Sequence, residues 1–377
     1  MVPVERLGTR PDQRANRRPV ATVLIAMCIL SPLLAACAQT DAGFARVSLL
    51  PDPAAEGHAW AWTARCQFGP YAHKACEAAG PDLGAAQLNG DEWNLGGGVA
   101  TAGSLGMSVN SPGALAVQGD FPSTPPCTEA TCLAPSANTW VRGYPNVLYG
   151  INQCHSTTSP QESRILPLPM KVSAIPSDLI GTTTYSSQTL QVTYDIAYDL
   201  WLNNSDTKRP CRTDGTVEVM VWTSYDERAL LPESMKVGTA SIPFAADRVV
   251  EPGKQAWSIY VNDVYQNGQT APWGGTVWLV LSKADVVSNG TVSVDLSSVL
   301  SAVGALLQND YRWSDFPRHY WLDTIPFGME FGPQSGTLTG TGSSYFSLKL
   351  SSYCLDVGTS ISKAACTRAS ARVGPAT

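Results

Sequence analysis

The sequence predicts an all-β fold, an antiparallel sandwich or barrel with one helix lying on the sheet. Short β-favouring runs follow one another from about residue 62 to about residue 350, and clusters of Gly, Pro, Asn and Asp separate them. One segment carries its apolar residues at helical spacing instead. The clearest strand runs are 189–202, 216–222, 255–264, 275–282 and 344–350.

The helical segment follows the strand run at 275–282. Asp295 precedes it, in a position where a carboxylate caps the free N–H groups of the first turn. The apolar side chains after it recur every three to four residues, so they share one face that packs on the sheet. They are Leu296, Val299, Leu300, Val303, Leu306 and Leu307.

The N-terminus predicts export. Five arginines precede an apolar stretch at 20–36 that Pro32 interrupts, which is the pattern of a secretory signal and not of a membrane span. No second apolar run of spanning length follows. We interpret residues 1–36 as a signal peptide, 37–61 as a linker, 62–352 as the catalytic domain and 353–377 as a tail.

The sequence around Cys37 is compatible with either lipid anchoring or release of the exported protein. The sequence Leu34-Ala35-Ala36-Cys37 resembles a bacterial lipobox, in which cleavage before the cysteine leaves its sulfur to be acylated. The small residues around the same point equally suit release of a free protein. We therefore expect a monomer that is secreted or anchored to the outer face of the cell membrane, with a lipid on Cys37 as its sole membrane contact.

The cysteine count supports an oxidising compartment. Of ten cysteines, Cys28 leaves with the signal and Cys37 is set aside, so an even number remains for disulfides. Short loops favour the pairs Cys66–Cys76, Cys127–Cys132 and Cys354–Cys366, which leaves Cys154 with Cys211, although other connectivities stay open. Metal binding is the alternative, but no C-x-x-C spacing occurs and the four histidines are scattered, so no metal or other cofactor is expected.

Charge and aromatic content narrow the class of partner. The net charge is −6, only 15% of residues are charged, and no basic stretch follows the signal, so nucleic acid is not an expected partner. Eleven tryptophans and thirteen tyrosines stand against eight phenylalanines. Their apolar faces and polar edges suit stacking on sugar rings, although tryptophan also fills sandwich cores.

The strand run at 216–222 carries a glutamate in an unusual setting. Strand alternation sends three valines to one face and Glu218, Met220 and Trp222 to the other. An ordinary solvent face would carry Lys, Thr or Ser beside a carboxylate, so this face is expected to line a cleft. A solvated strand glutamate is the alternative.

A second glutamate lies in a glycine-rich strand, at 325–332. Glu330 shares its face with Gly328 and Gly332, and glycines inside a strand indicate a bulge or the close approach of a ligand. Two such glutamates indicate cleavage of a glycosidic bond, because one carboxyl protonates the departing oxygen while the other acts at the anomeric carbon. Asp199 is a third acid that strand pairing would bring near Glu218; a hairpin-end aspartate is the alternative.

At these residues the sequence resembles glycoside hydrolase family 12, a family of endoglucanases and xyloglucanases. Residues 218–222 resemble the family's E-[LIV]-M-[IV]-W motif, and 328–331 are similar to its G-[TM]-E-[PF]-F-like strand. Residues 198–202 look like its Y-D-[IL]-W-[LF] strand, and 142–146 like an R-G-Y-P-N segment. The similarities occur in the family's order, over residues 85–350.

The resemblance implies a β-jelly roll of two packed antiparallel sheets whose concave face binds a β-glucan polysaccharide. It implies Glu218 as the nucleophile of a retaining, double-displacement mechanism, Glu330 as the general acid/base, and Asp199 as an aspartate that tunes Glu218. Sugar-binding side chains are implied at Trp93, Tyr144, Asn146, Met220 and Trp222.

One departure from the family pattern bears on substrate choice. The family's early N-N-x-W segment appears here as Gly90-Asp91-Glu92-Trp93, so a carboxylate that cannot donate hydrogen bonds replaces an amide. We expect a retaining endo-β-1,4-glucanase. The alternatives are a xyloglucan-specific enzyme, a non-catalytic surface-anchored glucan-binding jelly roll, and a serine acyl-enzyme on the S-x-x-K of Ser360 and Lys363.

Overall fold

The described part of the computed structural model consists mostly of β-strands. It describes residues 141, 143–152, 157–158, 166–204, 216–247, 253–264, 275–314, 316, 318–333 and 344–358, together with the strands at 45–48, 62–67, 87–89, 104–110 and 114–121. All of these belong to one compact unit, Ala42–Thr377.

The strands are numbered in chain order. The first ten are β1 (Ala45–Ser48), β2 (Trp62–Gln67), β3 (Gln87–Asn89), β4 (Ser104–Asn110), β5 (Ala114–Phe121), β6 (Asn146–Leu148), β7 (Ile151–Asn152), β8 (Thr157–Thr158), β9 (Met170–Lys171) and β10 (Ile180–Leu190). The others are β11 (Val192–Asn203), β12 (Val217–Tyr225), β13 (Lys236–Ala246), β14 (Gly253–Asn262), β15 (Gly275–Leu281), β16 (Asn289–Asp295), β17 (Trp321–Thr324), β18 (Phe327–Pro333) and β19 (Ser344–Val357).

Two packed layers are formed by one continuous sheet of 17 strands. One layer runs β4, β5, β19, β10, β16, and the other runs β6, β18, β11, β12, β15, β14. The strand β13 joins them, because Lys236–Phe244 pairs with β14 while Phe244–Ala246 pairs with β16. The predicted all-β sandwich is confirmed, with two differences: its sheets are continuous, and β12 and β15 pair in parallel.

The interior between the layers is filled by alternate residues of the strands. In β12 the valines Val217, Val219 and Val221 all belong to the main apolar core, as the alternation predicted. Met220 and Trp222 lie on the opposite face, in a second and smaller apolar cluster. The two faces of this layer are therefore distinct, and the second face is the one that carries Glu218.

The predicted helix is present as α1 (Leu296–Asn309). Asp295 is its N-cap and accepts a 2.9 Å hydrogen bond from the Ser298 N–H, and the six predicted apolar residues are all buried. The helix contacts β10 and β13, so it lies on the sheet. Within the described residues, none of the helices is both long and apolar enough to cross a bilayer.

The strand predicted at 189–202 is in fact two strands. Gln191 has a positive φ of 56° and turns the chain sharply between β10 and β11. Glycine or asparagine usually marks such a position, and neither occurs here, so no residue type predicted the turn. At the other end of the chain, β19 continues to Val357, beyond the domain boundary predicted at 352.

Candidate active site

The strands β12 and β18 lie on either side of β11 and place Glu218 and Glu330 on the same face of the sheet. Glu218 pairs directly with Trp201 of β11, and Glu330 pairs directly with Asp195 of the same strand. Directly paired residues share a face, and residues two apart along a strand do so as well. This face therefore carries four acids, which also include Asp199, and each is at most 9% exposed.

Glu218 is held by a hydroxyl group. Thr276 lies directly beside it on β15, and the Thr276 Oγ1 donates a 2.9 Å hydrogen bond to the Glu218 Oε2. A donor to a carboxylate oxygen stabilises the ionised form of the acid. The surroundings of Glu218 therefore suit a carboxylate that attacks as a nucleophile.

Asp199 is a diagonal neighbour of Glu218, because its direct partner on β12 is Met220. The Trp201 Nε1–H donates a 2.9 Å hydrogen bond to the Asp199 Oδ2. Trp201 thus lies beside both acids, opposite Glu218 and two residues along from Asp199. Its role was not predicted, although an indole two residues after an aspartate on a strand shares its face and lies within reach of it.

Glu330 is held by another acid, Asp195. The Asp195 side chain is hydrogen-bonded to the Glu330 carboxyl, and no N–H or O–H donor of the described residues reaches either Asp195 oxygen. A hydrogen bond between two carboxyls requires a proton on one of them. Burial raises the pKa of Asp195 well above its usual range, and the charges of Asp199 and Glu218 raise it further, while the bond with Glu330 opposes the rise.

Asp195 was not predicted as a site residue. It lies four residues before Asp199, so the strand period already placed it on the same face. Its partner, however, depends on the register between β11 and β18, which the sequence alone does not define.

Gly328 makes room for the protein's own chain. It pairs with Asn146 of β6, and a Cβ atom at 328 would overlap the carbonyl oxygen of Pro145 and the side chain of Asn146. The expectation that this glycine marks a bulge or the approach of a ligand is therefore wrong. The close contact between β6 and β18 explains the residue instead.

Tyr144 and Asn146 connect this segment to the acid-bearing strands. The Tyr144 hydroxyl donates a 2.8 Å hydrogen bond to the Ala197 carbonyl of β11, and the Asn146 Nδ2 donates one of 2.6 Å to the Tyr144 carbonyl. Burial, reinforced by the charges of Asp199, Asp195 and Glu330, raises the pKa of Tyr144 well above its usual range. The phenol therefore stays protonated and keeps its donor role.

Most of the chain matches one known protein family. The model of the family described as "Glycosyl hydrolase family 12" matches residues 94–357. The chain belongs to glycosyl hydrolase family 12. It is accordingly a glycoside hydrolase, and its curled β-sandwich is the jelly roll of that family.

Several solved structures are similar to this chain at low sequence identity. A family 12 xyloglucanase from Bacillus licheniformis is 15% identical, with a TM-score of 0.50 over 78% of this chain and 99% of that one. Endoglucanase 3 from Trichoderma harzianum is 18% identical, with a TM-score of 0.45 over 78% and 96%. An endo-1,4-β-glucanase has 17% identity and a TM-score of 0.48 over 78% and 100%. A comparison with curated protein sequences gives no match.

In this family 12 enzyme, other apolar side chains pack around Met220 and Trp222 of β12. Trp222 is fully buried and packs on Tyr225, with ring centroids 6.0 Å apart. Ala229 and Leu231, on the segment that follows β12, belong to the same apolar cluster. Met220 is also buried there, so the sugar contacts of Met220, Trp222 and the buried Tyr144 stay predictions, as does that of Asn146.

Several predicted sites lie outside the described residues. They are Trp93, Cys37, Cys76, Cys127, Cys132, Cys154, Cys211 and Cys366. Trp93 also immediately precedes the residues that the family model matches. Cys354 is buried and disulfide-bonded, and Cys66 lies in β2; the pairings stay predictions. The described residues contain no group of three or more side chains arranged to hold a metal ion.

Proposed function

We propose that this family 12 hydrolase is a retaining endo-β-1,4-glucanase that cleaves internal bonds of cellulose-like glucans. The proposal rests on one observation: Glu218 and Glu330 extend from the two strands that flank β11 onto a single face. Two acids on one face are what glycosidic cleavage requires. Glu218 is the nucleophile in this proposal, and Glu330 is the general acid/base.

The reaction proceeds in two displacements. A Glu218 oxygen attacks the anomeric carbon and forms a glycosyl ester, the bond from that carbon to the leaving oxygen breaks, and Glu330 gives its proton to the leaving oxygen. In the second step Glu330 takes a proton from water, the water oxygen bonds to the anomeric carbon, and the Glu218 ester bond breaks. Two inversions restore the original configuration.

The partners of the two glutamates support this division of roles over the reverse one. The hydroxyl of Thr276 favours an ionised Glu218, which is the form a nucleophile needs. The hydrogen bond between the Asp195 and Glu330 carboxyls requires a proton. A general acid must also be protonated when the reaction begins, so this pairing suits Glu330 to that role. Environments that separate the protonation of two acids are a general feature of glycosidase sites.

The test is the release of reducing ends from carboxymethylcellulose, mixed-linkage β-glucan and xyloglucan. The wild type is expected to act on at least one of them, and Glu218→Gln and Glu330→Gln to lose that activity. Glu233→Gln is the matched control, since this glutamate is exposed at the start of a short 3-10 helix and paired with Lys236. Equal, negligible release by wild type and Glu218→Gln would contradict the proposal and favour a glucan-binding protein.

The same panel decides substrate preference. One of the solved relatives is a xyloglucanase, which keeps a xyloglucan-specific enzyme as the second candidate. Release from xyloglucan that exceeds release from unbranched glucan would select it. Proton NMR of the first anomer formed tests retention, because a retaining enzyme yields the β-anomer from a β-glucan.

We further propose that the enzyme is exported, from the arginine-rich and apolar N-terminus. Mass spectrometry of the mature N-terminus distinguishes the two routes. A diacylated Cys37 would show surface anchoring, whereas an unmodified N-terminus near Ala38 would show release. A mature chain that keeps residues 1–36 would contradict both.

A further inference from the structure

We propose that Asp195 is a positioning residue that keeps the catalytic proton on Glu330 and so sets the alkaline limit of activity. The inference rests on the proposed role of Glu330 as general acid/base. It concerns a residue outside the pair of glutamates, one that has no predicted contact with substrate.

The geometry places the two carboxyls directly against each other in the interior. Asp195 and Glu330 are direct partners across β11 and β18, and they are 0% and 3% exposed. Their side chains are hydrogen-bonded to each other. Since no donor of the described residues reaches the Asp195 oxygens, the bond itself must contain a proton.

In the described part of the chain, the groups that act on Asp195 from neighbouring elements are acids and neutral phenols. The charges of Asp199, on β11, and Glu218, on β12, raise the pKa of Asp195. Glu330, on β18, is hydrogen-bonded to it. Tyr144, before β6, and Tyr194, on β11, interact with its charge as neutral phenols. Within the described residues, no lysine or arginine is among the groups that shift the pKa of Asp195, and the proton shared with Glu330 lowers the repulsion that Asp195 experiences.

A shared proton has consequences for both steps of the reaction. Before the first displacement, loss of the shared proton would leave two adjacent carboxylates, so the pair keeps this proton at a pH where an isolated glutamate is ionised. After that proton has passed to the leaving oxygen, two carboxylates are adjacent. Their repulsion makes Glu330 a stronger base toward the water that attacks in the second step.

The variant Asp195→Asn tests the proposal, because it keeps the shape of the side chain, removes its charge and offers an N–H to Glu330. We expect the alkaline limb of the kcat/KM profile to move to lower pH by about one unit or more. The acid limb, which reports on the ionisation of Glu218, should move less. Asp226→Asn is the matched control and should leave both limbs in place, since Asp226 is a partly buried aspartate that lies after the end of β12 and pairs with Arg228.

Leaving-group dependence separates a role in acid catalysis from a merely structural one. An aryl β-cellobioside with a dinitrophenol leaving group needs little protonation, whereas a phenyl cellobioside needs it fully. Above the shifted limb, Asp195→Asn should lose much more activity on the second substrate than on the first, as should Glu330→Gln. Equal loss on both substrates would overturn the proposal, since misfolding does not distinguish leaving groups.

A measurement on the wild type keeps the proposal testable even if the variant does not fold. Infrared difference spectra across a pH titration should show the C=O stretch of a protonated carboxyl that persists at neutral pH and that Glu330→Gln alters. Absence of that band would overturn the proposal. If the wild type hydrolyses glucans and Glu330→Gln behaves as an acid/base variant, but the limb of Asp195→Asn is unmoved, the inference about Asp195 fails and the proposed function stands.

Discussion

Glu218 and Glu330 are the same residue type on two strands that flank β11, yet their partners are of opposite kinds. Glu218 accepts a hydrogen bond from the Thr276 hydroxyl, while Glu330 is hydrogen-bonded to the carboxyl of Asp195. The first arrangement favours a charged acid and the second requires a proton. The proposed roles of two similar acids therefore depend on the neighbouring strands, β15 for Glu218 and β11 for Glu330.

The largest effect is expected from removing each glutamate in turn. Glu218→Ala and Glu330→Ala should each lower kcat on a glucan by about 10⁴-fold or more, as removal of a group in the reacting unit does. Added azide distinguishes them. With Glu218→Ala it replaces the nucleophile and should give an α-glycosyl azide, and with Glu330→Ala it attacks the glycosyl-enzyme and should give the β-glycosyl azide.

The configuration of the azide product, read by NMR, is the measurement that decides the assignment. A β-azide from Glu218→Ala and an α-azide from Glu330→Ala would exchange the two roles. The exposed Glu233→Ala is the control and should keep full activity without forming an azide.

The next effect concerns the partner of Glu218. Thr276→Val keeps the shape of the side chain but removes the hydroxyl that donates to the Glu218 Oε2. A hydrogen bond to a charged group contributes about 1.5–3 kcal/mol, so kcat/KM is expected to fall about 10- to 100-fold. Because the lost donor favoured the ionised form, the acid limb of the pH profile should move to higher pH.

Thr276→Ser is the matched control, since it restores the hydroxyl and should recover most of the activity and the acid limb. A profile for Thr276→Val in which the alkaline limb moves instead would contradict the separation of the two environments. The pH dependence of kcat/KM over the whole active range measures both limbs together.

Local patterns of the sequence were sufficient for some of this site. Alternation in 216–222 identified Glu218 because its neighbours Met220 and Trp222 lie on the same strand face, and the helical period identified α1 with its Asp295 cap. These signals depend on residues within one element. The structure confirms both elements, β12 and α1.

Other features depend on how distant strands pair, and local patterns of the sequence do not predict that pairing. Thr276 lies beside Glu218 because β15 pairs with β12 in parallel, and Asp195 lies beside Glu330 because of the register between β11 and β18. Gly328 was misinterpreted for the same reason, since the chain that fills its space comes from β6. A shift of one residue in any of these registers would move the partner to the other face.

A smaller effect concerns the free energy of unfolding. It involves two aspartates, the buried Asp195 and the helix-capping Asp295. The native state keeps a proton near Asp195 that the unfolded chain releases, because burial raises the pKa of Asp195 well above its usual value of about 4. Stability therefore falls as pH rises through the range between the unfolded and folded pKa values. Asp195→Asn should remove that fall and raise the free energy of unfolding at neutral pH by about 1–2 kcal/mol.

Asp295 provides the opposite case, since its carboxylate accepts hydrogen bonds from the Ser298 N–H and from the hydroxyls of Ser297 and Ser298. Asp295→Ala should lower the free energy of unfolding by about 1 kcal/mol through loss of the cap. Urea unfolding at several pH values measures both variants. A destabilised Asp195→Asn at neutral pH would show that the acid pair stabilises the fold instead of opposing it.

The smallest effect is expected at Trp201, which lies between Glu218 and Asp199. Trp201→Phe removes the indole N–H that donates to the Asp199 Oδ2 but keeps an aromatic ring. Because the indole is only partly buried, solvent compensates for some of the loss, and kcat/KM should fall about threefold. Asp199 is then protonated more easily, which removes negative charge from beside Glu218, so the acid limb should move slightly to lower pH while the alkaline limb stays in place. Movement of the alkaline limb in Trp201→Phe would mean that Asp199 acts on the Asp195–Glu330 pair more than on Glu218, and the two environments would have to be treated as one coupled group of four acids.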